Sequence, residues 1–487
     1  MKTKTKSLII SSILTAVILL LLNYLWPTPW NIHSVACFFK LLAMSVIIMA
    51  ACLIHSVISD HGKDAKIPLM SLIIISSPVI ALLALVIGLL SGAQIFNAGK
   101  YANIISVETV NSADMILSQD DTDSIALMDT ASARQLGDRE IGSIENFSAF
   151  NVSDDYIQLN VNGDAVKIAP LEYAGFFKWM KNKDKGVTGY VTVSPTTMTA
   201  DYIALTEGMN YVPSAYFSHD LNRYIHKTYP TLIYDNIHFE IDEDGNPRYI
   251  ASVYKKTVGL LSGDIVTGII IVDPVSGETA LYDLADVPAW VDNAVPGNLI
   301  CELYNLAYKN KNGFWNGTAI GANTGCMQVT KVEYDSEDDD SESGTDFGYI
   351  AQDGDIYIYT GVTSMAADSS NLGFIMVNER TGQYRYIPVS GANEQSAINA
   401  AEGEVQQYSY IASFPTLINV DSELTYIGVL KDYSGLVKMY YMVNVKDYGK
   451  VVVATSREDC VNGYIKKLGL HPADSLIDCL TGSVADD

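Results

Sequence analysis

The chain has 487 residues and a formal net charge of −25, and at roughly 150 residues per domain this length predicts about three domains. So acidic a protein is a poor candidate for binding nucleic acid or for direct adhesion to anionic lipid headgroups. Its mean hydropathy is nevertheless positive, because the apolar residues are concentrated near the N-terminus.

Three long apolar runs open the chain: Leu8–Trp26, Ser34–Ile58 and Leu69–Ser91. Each has about the 20 residues that a helix needs to cross the hydrocarbon core of a bilayer. We therefore expect three N-terminal transmembrane helices in a membrane domain, residues 1–92. The alternatives are a cleaved signal for the first run, which lacks a small-x-small cleavage site, and buried core helices for the other two.

The basic residues near these runs predict the orientation. Lys2, Lys4 and Lys6 precede the first run, and Lys63 and Lys66 lie between the second and the third, so both segments are expected in the cytoplasm. Three crossings would place everything after about residue 92 outside a plasma membrane, with lipid as the partner of the spans. Residues 1–92 carry six Lys and two Asp, a balance of +4. Because the whole chain has a net charge of −25, the residues after 92 carry a net charge of −29.

A recurring phrase organises the rest of the chain. It has four copies: Gly189-Tyr-Val-Thr-Val-Ser-Pro195, Gly268-Ile-Ile-Ile-Val-Asp-Pro274, Gly373-Phe-Ile-Met-Val-Asn-Glu379 and a fainter Tyr440-Tyr-Met-Val-Asn-Val-Lys446. Each copy reads as a strand running into a turn, and an Asn-Gly or Asp-Gly turn pair lies upstream of three of them. The pattern predicts repeated β-hairpin units.

Helical stretches alternate with these hairpins, which predicts four units, each a helix followed by an antiparallel β-meander. The expected fold of the exterior part is therefore α+β. We place the units at residues 93–210, 211–285, 286–390 and 391–456, with an acidic insertion at 335–346 in the third and a C-terminal tail at 457–487. The second unit has the clearest pattern.

Asp244-Gly245 and Val272-Asp-Pro-Val-Ser-Gly-Glu278 resemble the pattern of the PepSY module, in which a strand, a D-G turn and a strand precede an apolar strand ending in V-D-x-x-T-G-E. Thr381-Gly382 resembles it again, whereas Thr197-Met198 and the turn at 446–449 depart from it. The chain is also similar to a family of uncharacterised membrane-anchored proteins of Gram-positive bacteria. The resemblance implies an extracytoplasmic module that modulates peptidases or envelope functions, with no catalytic machinery.

The search for chemistry yields no catalytic, cofactor-binding or metal-binding residues. Phosphate-loop, dinucleotide-binding, H-E-x-x-H and G-x-S-x-G patterns are absent from the sequence. His219, Asp220 and His238 are isolated candidates that could meet at a junction between units. The acidic run 335–346 is typical of a solvated loop, with weak cation binding as the alternative.

Cysteines and aromatic residues leave further alternatives open. Disulfides are chemically possible outside the membrane among Cys301, Cys326, Cys460 and Cys479, whose spacing does not fix the pairing. The 30 tyrosines suit either half-exposed strands or a binding surface. Trp179 and Trp315 are candidates for recognition or for packing between units.

These observations favour a non-enzymatic, membrane-anchored interaction protein of the bacterial envelope that binds a protein or cell-wall partner and modulates an envelope peptidase or a wall process. One alternative is an envelope hydrolase whose site lies at a junction between units. The other is an accessory subunit of a transporter or sensor.

Overall fold

The computed structural model describes residues 2–59, 69–111, 127–140, 142, 147–332, 347–352, 354–366, 370–420 and 423–469. The acidic insertion 335–346 and Cys479 lie outside these residues, so the expectations for them remain predictions.

The helices of the described residues are α1 Lys2–Leu25, α2 Val35–Ser59, α3 Leu69–Ser91, α4 Gln94–Ala102, α5 Thr130–Glu140, α6 Phe176–Asn182, α7 Leu221–Thr228, α8 Gly297–Asn310, α9 Glu394–Glu404 and α10 Arg457–Leu468. The strands are β1 Val107–Thr109, β2 Phe150–Val152, β3 Ile157–Val161, β4 Asp164–Tyr173, β5 Val187–Ser194, β6 Thr199–Met209, β7 Ile233–Ile241, β8 Pro247–Val258, β9 Ser262–Val272, β10 Thr279–Asp283, β11 Met327–Val329, β12 Gly348–Gln352, β13 Asp355–Ser364, β14 Ser370–Asn378, β15 Tyr384–Ile387, β16 Gly391–Ala392, β17 Ile411–Ala412, β18 Thr416–Val420, β19 Glu423–Lys431, β20 Val437–Asn444 and β21 Val451–Ala454.

These strands form four sheets, numbered here in chain order. The first sheet has the order β2-β4-β5-β6, with β3 also on β4, and the second has the order β10-β9-β8-β7. The third has the order β1-β15-β14-β13-β11, with β12 on β13 and β16 on β14, and β1 runs parallel to β15. The fourth has the order β17-β19-β20-β21, with β18 on β19. Each copy of the recurring phrase lies in a strand of a different sheet.

The Ser, Asp or Asn at the end of the strand in each phrase explains why the chain turns there. Its side-chain oxygen accepts a hydrogen bond from a backbone N–H two or three residues later, as in Asx and Ser/Thr turns. The acceptors are Ser194, Asp273, Asn378 and Asn444. The side chain thus satisfies a backbone donor that the end of the strand leaves unpaired.

The largest apolar core joins the third and fourth sheets with helices α9 and α10. Tyrosines are prominent among its fully buried side chains. The hydroxyl of Tyr441 donates to the backbone oxygen of Ser413 at 2.7 Å, and that of Tyr426 donates to Ala392 at 3.0 Å. Tyr426 and Tyr441 are therefore core residues whose hydroxyl groups are satisfied internally.

The chain divides into two compact units, and each is described by itself. The first comprises Met1–Asn97, Phe217–Asp235 and Val253–Thr267, and the second comprises Ala98–Tyr216, Asn236–Ser252 and Gly268–Asp487. Within the first unit, the Nδ1 of His33 lies 2.8 Å from the backbone oxygen of Leu260. The N–H of Leu260 donates to the hydroxyl of Ser91 at 2.9 Å, so the β8–β9 turn is fastened to the α1–α2 loop and to the end of α3.

The expectation of three transmembrane helices in residues 1–92 is wrong. Among the described residues, one helix, Val35–Ile54, is long and apolar enough to cross a membrane. A second qualifies only if Ser76–Ser91 and Gln94–Ala102, which are bent by 46°, count as one span. The apolar segment Ile9–Leu25 of α1 is shorter than the roughly 20 residues required.

The coarser expectation of an apolar N-terminal segment is confirmed. Only 11% of the 18-residue window in Val35–Ile54 is buried, which distinguishes it from the core helix of a water-soluble fold. It is a candidate membrane anchor or signal sequence.

Candidate functional site

A cavity of about 110 Å³ lies within the second compact unit, where the first, third and fourth sheets meet. We call it the polar cleft. It is lined by residues 127–130 and 347–349 with Gln158, Lys167, Phe414 and Thr416. The lining residues come from strands β3, β4, β12 and β18 and from the segment that enters α5.

Lys167 supplies the positive charge of the polar cleft. Its side chain is 2% exposed, and its Nζ lies 3.3 Å from the hydroxyl of Thr130 and 5.4 Å from the centre of the Tyr349 ring. Burial lowers the pKa of Lys167 to about 8, against the opposing influence of the Asp129 and Glu379 carboxyl groups. The amine is therefore still mostly protonated at neutral pH.

Gln158 adds a second donor to the polar cleft. Its side chain is 3% exposed, and its Nε2 has no hydrogen-bond partner among the described residues. A buried amide without a partner is costly. A ligand atom that accepts a hydrogen bond would remove this cost.

Asp129 does not neutralise Lys167 alone, because it has a cation of its own. Its carboxylate forms an ion pair with Lys431. Although burial opposes the shift, Lys431 lowers the pKa of Asp129. Asp129 and Lys431 therefore form a paired unit at the wall of the polar cleft.

A buried carboxyl network lies beside Lys167 and consists of His238, Glu240, Asp292, Asp355 and Glu379. His238 Nε2 lies 2.9 Å from Glu240 Oε1, and the backbone N–H groups of Asp292 and Asn293 donate to the same carboxylate at 3.1 and 3.0 Å. The network fastens the loop before α8 to strand β7.

The ionisation of the carboxyl groups in this network affects the negative charge around Lys167. Burial, followed by the carboxyl groups of Asp292 and Glu240, raises the pKa of Glu379 well above its usual range. Burial and Glu240 do the same to the pKa of Asp292. Burial and a like-charged neighbour both disfavour the ionised form of a carboxyl group. Buried carboxyl groups near one another therefore keep their protons to a higher pH. Burial and the neighbouring carboxyl groups therefore oppose ionisation of Glu379, which weakens it as a counter-charge to Lys167.

The same network binds an arginine. Asp355 accepts from Arg380 Nε and Nη2 at 2.7 Å each, and from Asn378 Nδ2 at 2.6 Å. This bidentate pair gives the Asp355 carboxylate its own counter-charge. Within the described residues, no group of three or more His, Cys, Asp or Glu is arranged to hold a metal ion.

A second cavity, of about 330 Å³, adjoins the polar cleft at Met128, which lines both. We call it the apolar groove. It is lined by residues 435–438 with Met128, Ser132, Leu136, Met198, Tyr440 and Thr455. Its volume falls in the range of roughly 300–1,000 Å³ that is typical of sites for small molecules.

Met198 has a strained backbone in this groove. Its φ is +59°, a left-handed conformation that glycine adopts at the equivalent turns of the second and third sheets, Gly277 at +81° and Gly382 at +68°. A non-glycine residue there costs about 1–2 kcal/mol. The sequence departs from the Gly pattern at this copy of the turn, and the structure places the resulting side chain in the apolar groove.

Comparisons with known proteins do not identify a family. No family model and no curated protein matches the chain. One solved structure, the crystal structure of an ACO/RPE65 chimera, is 8% identical and covers 63% of this chain with a TM-score of 0.13. The match spans about half of that chain, 48%, and so low a TM-score does not indicate a shared fold.

The isolated candidates of the sequence have separate structural roles. Asp220 caps α7, accepting from the N–H of Arg223 at 2.8 Å, and His219 ends a short 3₁₀ turn just before it. Both belong to the first compact unit, whereas His238 belongs to the carboxyl network of the second. His238 is 5% exposed and does not line the polar cleft.

The aromatic and cysteine candidates also lie in different environments. Trp179 is 7% exposed and packs against the Phe176 and Tyr216 rings, while Trp315 is 61% exposed. Among the described residues, Cys301, Cys326 and Cys460 form no disulfide with one another. A pairing of Cys460 with Cys479 cannot be read, since Cys479 lies outside the described residues.

Sequence reasoning missed Lys167, although the sequence holds a signal. Lys167 interrupts the apolar run Ala165–Leu171 of β4, and a lysine inside such a run is buried only when its surroundings accommodate the charge. The other cleft residues carry no local signal, because the polar cleft forms only when three sheets meet.

Proposed function

We propose that this chain is an extracytoplasmic binding protein of the bacterial cell envelope, and that the polar cleft holds part of its ligand. The observation that supports the proposal is the buried, protonated amine of Lys167 in a cleft shared by three sheets. A buried charge without a full set of partners is costly to keep. Bound ligand would supply the missing partner.

The N-terminal apolar helix is the proposed membrane anchor. Val35–Ile54 is long enough to cross a bilayer once. In this proposal, the β-rich region that follows this helix lies outside the membrane.

The proposed partner is a protein, a peptide or a cell-wall component, not a nucleic acid. The acidic region disfavours nucleic acid. The resemblance of the second unit to PepSY modules adds the proposal that binding modulates an envelope peptidase or a wall process.

Site-specific photo-crosslinking in intact bacterial cells tests this proposal. The full chain would carry p-benzoylphenylalanine in place of Phe414, an aromatic residue that lines the polar cleft. We expect a light-dependent adduct in the membrane fraction. The same photoreactive residue in place of Tyr448, which is 59% exposed and lies outside both cavities, is the control.

Equal labelling from both positions would show that the adduct results from non-specific capture. Absence of any adduct at Phe414, from a folded chain recovered in the membrane fraction, would contradict binding at the polar cleft. Recovery of the chain in the cytoplasmic fraction would contradict the anchor.

A further inference from the structure

We infer that the ligand is an apolar chain ending in a free carboxylate, with the carboxylate on Lys167 and Gln158 in the polar cleft and the apolar part in the neighbouring groove. The inference rests on the proposed function and gives its ligand a chemical class.

The charges around the polar cleft favour an anion. Asp129 is paired with Lys431 and Asp355 is paired with Arg380, and burial raises the pKa of Glu379. The ammonium of Lys167 therefore remains without a full counter-charge. One negative charge on the ligand would balance it.

The donors favour a group that only accepts hydrogen bonds. Lys167 has three N–H donors, of which the described contacts use one, to Thr130. Gln158 Nε2 has no partner among the described residues. An ionised carboxylate accepts through both oxygens, so it can serve the ammonium and the amide together.

The size of the polar cleft restricts what enters it. A volume of about 110 Å³ equals a few molecules of water at about 30 Å³ each. A carboxylate with its neighbouring carbon fits such a space, whereas a whole peptide or sugar does not. The rest of the ligand must lie elsewhere.

The apolar groove offers that place. It shares Met128 with the polar cleft as a lining residue, has about three times its volume, and presents Leu136, Met198 and Leu436. Flexible methionine side chains adapt well to apolar ligands. The left-handed backbone of Met198, where two other copies of the turn use glycine, indicates that a side chain is retained there against a conformational cost.

Two sources share this chemistry: the C-terminus of a peptide with apolar last residues, and a fatty acid. A fluorescent hexapeptide ending in Leu-Leu with a free carboxylate is the probe, and the same peptide with a C-terminal amide is its matched control. Binding is measured by anisotropy with the full chain in detergent. We expect the acid to bind at least tenfold more tightly than the amide.

Three variants test whether the peptide binds at the polar cleft and the apolar groove, and a fourth is the control. Lys167→Met should remove the preference for the acid, and Gln158→Leu, which deletes a donor without a partner, should reduce it. Met198→Gly relieves the left-handed strain, so we expect unchanged or higher thermal stability but weaker binding of both peptides. Lys446→Met is the control, because Lys446 lies outside both cavities and pairs with Glu423 at 3.8 Å; it should keep the preference for the acid.

Unlabelled decanoate distinguishes the sources. Displacement of the peptide by micromolar decanoate would assign a fatty acid, and its failure to compete would assign a peptide C-terminus; either result supports the inference if the acid is preferred. Equal binding of acid and amide by the wild-type chain would overturn the inference. Because photo-crosslinking at Phe414 does not depend on this preference, a cleft adduct without acid selectivity would leave the proposed function standing.

Discussion

At the scale of single residues, buried carboxyl groups set the response of the fold to pH. Glu394 begins α9, is fully buried, and accepts from the N–H of Gly361 at 2.7 Å. Burial raises the pKa of Glu394 to about 7, above about 4.3 for an unfolded chain. The native state thus holds a proton that the unfolded state releases. Stability is greatest below the unfolded pKa and falls as pH rises toward 7.

Substituting Glu394→Gln should remove this dependence, because the amide stays neutral and keeps an oxygen for the N–H of Gly361. We expect a variant that is similar to wild type at pH 5 and more stable at pH 8, by on the order of 3 kcal/mol at about 1.4 kcal/mol per pKa unit. Thermal unfolding at the two pH values measures this. The control is Glu404→Gln, exposed at the end of the same helix, and wild-type behaviour of Glu394→Gln would contradict the prediction.

At the scale of elements, a glycine on one strand packs against a tyrosine ring on the neighbouring strand in two copies of the repeat. The ring of Tyr202 lies 2.6 Å from where a Cβ on Gly189 would be, and that of Tyr386 lies 2.7 Å from the same point on Gly373. Tyr386 also donates from its hydroxyl to the backbone oxygen of Leu372 at 2.9 Å. In these two copies the glycine that opens the phrase leaves the space that the tyrosine ring occupies.

The substitution Gly373→Ala should destabilise the protein by roughly 1–3 kcal/mol, because the added methyl overlaps both the Tyr386 ring and the backbone of Ile387. Gly403→Ala is the matched control. Gly403 lies in α9 with open space around its Cβ position, so alanine should stabilise the protein by roughly 0.5–1 kcal/mol. Urea unfolding of the two variants should shift in opposite directions, and a shared direction would refute this role of Gly373.

At this scale the sequence was informative about turns and uninformative about packing. Asx turns depend on residues two or three apart, so Asp273 and Asn378 could be interpreted locally. The ring over Gly373 belongs to a residue 13 positions later, and the strand pairing that brings it there is not visible in the phrase. Likewise, the length of each apolar run was visible in the sequence, whereas one helix of the described residues, or two if the bent pair counts as one span, is long and apolar enough to cross a membrane.

At the scale of the whole molecule, the candidate site is a product of assembly. Lys167 and Thr416 line one cleft although 249 positions separate them along the chain. No local pattern encodes such a meeting, which explains why sequence reasoning selected the isolated His219 and His238 and passed over Lys167. The general expectation of a site at a junction between repeats stays a hypothesis until a ligand is found.

The central claim, that protonated Lys167 holds the ligand, is tested most directly by the pH dependence of acid-peptide affinity between pH 6 and pH 10. The groups that face Lys167 are Asp129 with its partner Lys431, Glu379, Tyr349 and Thr130. Since the pKa of Lys167 in the free protein is about 8, we expect constant affinity below pH 8 and a fall approaching tenfold per unit above it, absent in Lys167→Met. Affinity unchanged up to pH 10 in the wild-type chain would contradict the claim.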